Sequence, residues 1–174
     1  GTAAVPGAPA PGGGGGGRGR GGPPQPPSMT VWVRGKINAN HEWTSQETVA
    51  RFPANLYTSS GTHYGSRFIF DTEGHLFFTI GERGQVANAQ DLTIPLGKIH
   101  RINDDGTIPR DNPFVNTPGA IASIWTYGHR NPQGLDWHPV TGVLFATEHG
   151  QTAHDEVNII QPGGNYGWPQ VSGE

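Results

Sequence analysis

The sequence predicts an all-β fold, part of a β-propeller comprising about two blades and part of a third. Three observations predict it. No helical periodicity is sustained over eleven residues anywhere. Charged residues make up 14% of the chain, against about 25% in an average globular domain. Gly, Thr, Asn, Gln and His take their place, a mixture that favours strands and turns. The third observation is an internal near-repeat: residues 66–84 line up with residues 133–150, and their turn glycines, Gly74 and Gly142, stand 68 residues apart.

Residues 1–28 hold eleven of the 28 glycines and seven of the 16 prolines, too little apolar surface to offset the entropy of ordering them. They read as a disordered Gly/Pro-rich linker or tail. Residues 29–174 carry five Trp, seven Phe and four Tyr, enough for a core. The first elements predicted are strands at 31–37 and 46–52, turned through Asn38-Ala-Asn40. Each copy of the repeat then reads as strand, glycine turn, strand. A third strand follows at 97–102 after the first copy and at 156–160 after the second. An outer fourth strand is expected before each copy, at 48–52 and at 124–126. Two and a half blades cannot close a ring, so the chain is expected to be a portion of a longer protein.

Composition excludes several functions. Only Arg18 and Arg20 of the 11 basic residues lie in the tail, leaving nine against 14 acids in the body, the wrong balance for nucleic acid. No apolar run approaches a membrane span and no start resembles a secretory signal. The absence of cysteine removes disulfides, thiolate metal sites and a cysteine nucleophile. The glycine run 12–17 lacks the following Lys-Ser/Thr and the preceding strand of a phosphate loop.

In a propeller, ligands sit over the axis, on loops beside the repeated strands. Loop 61–65 before the first copy offers His63; loop 128–134 before the second offers Arg130 and Asn131. A neutral imidazole can take a proton from an alcohol, while a guanidinium beside an amide can hold developing negative charge. On residues alone, a loop histidine and a surface turn before Pro132 are the preferred readings. Glu148-His-Gly150-Gln151, Asp155-Glu156 and Asn165-Tyr166 make an oxygen-rich stretch of the kind calcium uses, though solvated turn acids fit it too.

Taken in order, Gly61-Thr-His63-Tyr-Gly-Ser-Arg67, Ala89-Gln-Asp-Leu92 with Gly97-Lys-Ile99, Ile108-Pro-Arg-Asp-Asn-Pro113, Tyr127-Gly-His-Arg130-Asn131-Pro-Gln-Gly134, Asp155-Glu-Val-Asn158 and Gly164-Asn-Tyr166-Gly-Trp-Pro169 resemble the soluble glucose/sorbosone dehydrogenase family, the PQQ-dependent aldose sugar dehydrogenases. The resemblance spans nearly all of residues 29–174. It implies a six-bladed propeller that binds pyrroloquinoline quinone (PQQ) and Ca2+ and oxidises the anomeric hydroxyl of an aldose to a lactone, using an external electron acceptor. It implies His63 as general base and Arg130 and Asn131 as cofactor contacts, Arg130 also stabilising charge. The carbonyls of Gly150 and Gln151 would hold one calcium; Glu156 and the carbonyl of Tyr166 would hold a second. It also implies a periplasmic or secreted location, and further site residues beyond Glu174.

The sequence departs from the family at Gln151, where proline is frequent, and at Thr62, where some members carry an aspartate that orients the base. Two other readings use the same loops: a non-catalytic propeller module binding calcium and carbohydrate, and a calcium-dependent, lactonase-like hydrolase. The hydrolase would need several inward acids around one calcium.

Overall fold

A computed structural model describes residues 25–171 and the strand Thr2–Ala4; for residues 5–24 the expected disorder lies outside the described residues. Among the described residues, eleven strands form four antiparallel sheets. Strand β1 (Thr2–Ala4) pairs with β2 (Ser28–Thr30), and β3 (Trp32–Ile37) with β4 (Trp43–Ala50). Strands β5 (Phe68–Phe70), β6 (Leu76–Ile80), β7 (Lys98–Ile102) and β8 (Ile124–Tyr127) make a four-stranded meander. The last sheet is β9 (Pro132–Trp137), β10 (Leu144–Glu148) and β11 (Glu156–Ile159). This is an all-β, partial propeller. Among the described residues no helix is long and apolar enough to cross a membrane.

The repeat folds as two hairpins whose turn glycines take positive φ, +88° at Gly74 and +66° at Gly142, a region costly for any residue with a Cβ. Asp71 Oδ1 closes the first turn by accepting the amides of Glu73 and His75 at 2.9 and 2.8 Å.

Strand β6 explains why the sheets stack. All five of its residues are buried, and alternate side chains point to opposite faces. Leu76, Phe78 and Ile80 join Met29, Trp32, Leu96 and Ile102 in one core. Phe77 joins Ile99, Leu135, Leu144, Ala146 and Ile160 in the other, towards the last sheet. A sheet covered on both faces needs a continuous apolar run, and Leu-Phe-Phe supplies it. Each phenylalanine buried here stabilises the stack by about 2–3 kcal/mol.

Two sequence expectations are corrected. The fourth strand does not open the following blade: β8 hydrogen-bonds to β7 of the first copy. The cause is Trp125, whose ring meets Phe77 edge-on at 5.4 Å and lies 4.9 Å from the Arg101 guanidinium, holding the returning chain on that sheet. Residues 48–50 likewise belong to β4, which pairs only with β3. Strand β4 begins at Trp43 rather than residue 46 because that ring covers Gly35, where an added Cβ would sit 2.6 Å from it. The turn is shaped by Asn38, whose side-chain oxygen accepts the amides of Asn40 and Glu42.

Candidate active site

The two loops singled out in the sequence meet. Gly65 N–H donates to Asn131 Oδ1 at 3.1 Å, and Glu82 N–H donates to the Arg130 carbonyl at 2.9 Å. The contact works only because the end of β6 is bare. A Cβ on Gly81 would lie 2.8 Å from the His63 carbonyl carbon and 2.9 Å from Asn131 Oδ1. Loop 61–65 is bent through positive φ at His63 (+52°), Gly65 (+62°) and Ser66 (+73°). Backbone strain of this kind persists where surrounding contacts over-determine it.

The His63 Nδ1 donates to Glu82 Oε1 at 2.5 Å. Glu82 is 1% exposed while the His63 side chain is 17% exposed. With its proton on Nδ1, the imidazole has its lone pair on Nε2, and among the described residues Nε2 has no partner. A general base requires this arrangement. Thr62, where some members of the resembled family carry an aspartate, makes no hydrogen bond to the His63 ring among the described residues; the ring is held by Glu82. Next to it, buried Arg83 lies 4.0 Å over the Tyr64 ring and donates to the Ser60 carbonyl. Burial lowers its guanidinium below the usual arginine range.

On the second loop, Gly128 N–H donates to the Ala89 carbonyl and His129 N–H to the Gly97 carbonyl. The Arg130 Nη1 donates to the His149 carbonyl at 3.3 Å, and its guanidinium lies 5.5 Å from the Trp168 ring. Among the described residues, its other guanidinium N–H groups have no hydrogen-bond partner. Trp168 is held by its own amide, donated to the Gly128 carbonyl, and by Gln90, whose side chain donates to the Trp168 carbonyl at 2.7 Å. Gln90 and Asn165 also exchange a reciprocal amide pair at 2.9 and 3.0 Å.

Beneath both loops sits Lys98, fully buried, donating to the carbonyls of Asn88, Ala89 and Leu96 at 2.7, 3.0 and 2.7 Å. Burial pushes its ammonium down to about 7, with Asp91 opposing the shift. Three carbonyls match the three donors of the ammonium. They fold the segment 86–96 into a platform from which Asn88 donates to the Glu82 carbonyl.

Gly150, Glu156 and Tyr166 line one narrow cleft with Arg130, Glu148 and Trp168. The carbonyls of Ala153 and His154 crowd the Gly150 α-carbon, where a Cβ would sit 2.7 Å from the latter oxygen. An oxygen-rich turn of this kind fits calcium in donor chemistry. Gln151 follows at the exposed tip of the same turn. The Tyr166 phenol donates to the Ile159 carbonyl at 2.6 Å; burial raises it above the ordinary tyrosine range. Among the described residues, the grouping of three acids or histidines close enough to hold a metal is Asp71, Glu73 and His75. It lies in a hairpin turn with the Arg101 guanidinium 3.0 Å from His75, and that fixed cation opposes a metal there.

Residue-by-residue reading of the sequence misses Glu82, sees Glu148 only as part of an oxygen-rich stretch, and gives Lys98 no role. A signal for the two acids exists: a shift of 66 residues superposes His63 on His129, Glu82 on Glu148 and Gly84 on Gly150. Alignment on the turn glycines hides it, because the second turn falls two residues later.

Comparison with known proteins identifies the family. The sequence profile of the family described as Glucose / Sorbosone dehydrogenase matches residues 24–174. The chain is 50% identical over 111 residues to aldose sugar dehydrogenase YliI of Escherichia coli (strain K12), covering 64% of this chain and 30% of that protein. It is 39% identical over 134 residues to quinoprotein glucose dehydrogenase B of Acinetobacter calcoaceticus, covering 66% and 27%. Among solved structures, the apo-form of the soluble aldose sugar dehydrogenase from Escherichia coli superposes with a TM-score of 0.79 at 41% identity, over 84% of this chain and 42% of that one. The PQQ-bound aldose sugar dehydrogenase from Streptomyces coelicolor superposes at 0.69 and 34% identity, over 86% and 42%. The chain thus spans less than half the length of these relatives. With a family profile matching nearly all of its body, it belongs to the glucose/sorbosone dehydrogenase family.

Proposed function

We propose that this chain forms part of a PQQ- and calcium-dependent dehydrogenase that oxidises the anomeric hydroxyl of an aldose to a lactone. One observation carries the reading: His63, with Nδ1 tied to Glu82 and Nε2 open, lies beside a loop that presents Arg130 and Asn131. The quinone, when bound, supplies acceptance of the C1 hydride, and calcium supplies Lewis acidity. The residues of this chain do the rest. His63 Nε2 takes the hydroxyl proton, so that loss of one proton and one hydride turns C1–OH into the lactone carbonyl. Arg130, with Asn131 beside it, binds the anionic cofactor and offsets negative charge. The Gly150 and Gln151 carbonyls would hold one calcium, and Glu156 with the Tyr166 carbonyl a second. An external electron acceptor completes the cycle, and the family resemblance favours a periplasmic or secreted setting.

The test is titration of the calcium-loaded full-length protein that contains this chain with pyrroloquinoline quinone, followed by an aldose, while the quinone absorbance is recorded. Saturable binding with sugar-dependent bleaching is expected, abolished by His63→Ala while binding persists. Unchanged bleaching in His63→Ala would remove the base assignment. Absence of quinone binding would remove the cofactor assignment.

A further inference from the structure

We infer that Glu148 is the positioning residue of the Arg130–Asn131 loop, acting on its backbone with His129 as its partner. This rests on the proposed role of Arg130 and Asn131 towards the cofactor. Three consecutive donors converge on one carboxylate: Glu148 Oε1 accepts the amides of Arg130 and of Asn131, the latter at 3.0 Å, and Oε2 accepts His129 Nδ1–H at 2.9 Å. Glu148 is 7% exposed and His129 is fully buried. Charge-assisted bonds in so dry a setting are about twice as strong as neutral ones.

The strand pairing explains why a side chain is needed. Strand β10 pairs with β9 down to Thr147 opposite Gly134, then shifts register so that Glu148 faces Pro132. Proline has no N–H to give, so the ladder ends there. The amides just before it would be stranded under the loop; the Glu148 carboxylate takes the place of the missing strand carbonyls. The conformation of Arg130 is set at its backbone, which aims its guanidinium between the His149 carbonyl and Trp168.

His129 completes the lock. Thr126 Oγ1 donates to its Nε2 at 2.8 Å, and its ring stacks on Tyr166 at 4.7 Å. Thr, His and Glu therefore stand in the donor order of a hydrolase triad. Thr126 and His129 are both 0% exposed, so no substrate reaches the hydroxyl, and the chain of bonds can only hold. Glu82 and His63 are the same carboxylate–imidazole pair 66 residues earlier, with two differences: Glu82 accepts no amide of its loop, its Oε2 having no partner among the described residues, and His63 Nε2 is left open, whereas Thr126 caps Nε2 of His129. One copy prepares a base and the other fixes a loop.

The difference yields a test. In Glu148→Gln, the new carbonyl can still accept both amides if its NH2 group faces His129. That forces the imidazole proton from Nδ1 to Nε2, with Thr126 Oγ1 now accepting. The experiment measures the tautomer of His129 by nitrogen-15 NMR, amide exchange at Arg130 and Asn131 relative to Ala146 of β10, and quinone affinity. We expect the Nδ1–H tautomer in the parent and the Nε2–H tautomer in E148Q, with both amides still protected. In E148A, protection at Arg130 and Asn131 should fall about tenfold or more with Ala146 unchanged, and quinone affinity should weaken about tenfold, more than in E148Q. An unchanged tautomer in E148Q, or parental protection of both amides in a folded E148A, overturns the inference. Should E148A fail to fold, the tautomer and exchange in E148Q decide. Should the parent not bind the quinone, the functional reading fails while these two readouts still judge Glu148.

Discussion

Gly81→Ala is the sharpest single perturbation of this site. Gly81 carries no positive φ, so alanine is acceptable to its backbone and the effect is steric alone. The added Cβ would lie 2.8 Å from the His63 carbonyl carbon and 2.9 Å from Asn131 Oδ1, against about 3.5 Å for an unstrained carbon contact. The first neighbour is backbone and the second is a side chain already bonded to Gly65. Neither swings aside, so loop 61–65 and loop 128–134 are driven apart by roughly 1 Å. Overpacking of this kind costs about 1–3 kcal/mol, and a misplacement near 1 Å costs on the order of 100-fold in a reaction that depends on orientation. Gly61→Ala is the control: it lies in loop 61–65, which Gly81 packs against, with no positive φ and open space around the Cβ, so a change within about 0.5 kcal/mol is expected. Urea midpoints, with quinone reduction by an aldose, read both quantities. If Gly81→Ala matched Gly61→Ala in both, the close approach that assembles the site would be refuted.

Three further predictions concern the groups beneath the loops. Glu82→Leu should slow sugar oxidation about 100-fold or more, because no acceptor then holds the His63 proton on Nδ1; a parental rate in the folded variant would contradict the tautomer argument. His100 is buried between Ser123 Oγ and the Pro95 carbonyl, and burial lowers its imidazole to about 3 from 6.5. Between those values the unfolded chain binds the extra proton, so stability is full above pH 6.5 and falls as the pH drops, by about 2 kcal/mol at pH 5 and about 5 by pH 3. His100→Phe keeps the stack on Phe78 and should flatten that slope between pH 6.5 and 5; equal slopes in urea titrations would count against it. Lys98→Met strips the donors from three buried carbonyls and should lower unfolding stability by about 2–4 kcal/mol, while an unchanged urea midpoint would show the platform needs no cation.

Strand, glycine turn and strand are short-range features, written by alternation and by residues that tolerate positive φ. The hairpins at 68–80 and 132–148, the third strands and the two loops carrying His63, Arg130 and Asn131 are therefore legible in the chain alone. Their equivalence within the repeat is enough to predict that the loops meet. The partner of β8 is not legible, because Ile124–Tyr127 suits either neighbouring sheet as a string of residues. Trp125 on Phe77 and Arg101 makes the choice. Nor can Glu82, Glu148 and Lys98 be told from solvated charges in the sequence. A charge is defined by what surrounds it, and here the surroundings are amides, imidazoles and carbonyls up to 19 residues away, brought together only when the sheets stack and exclude water.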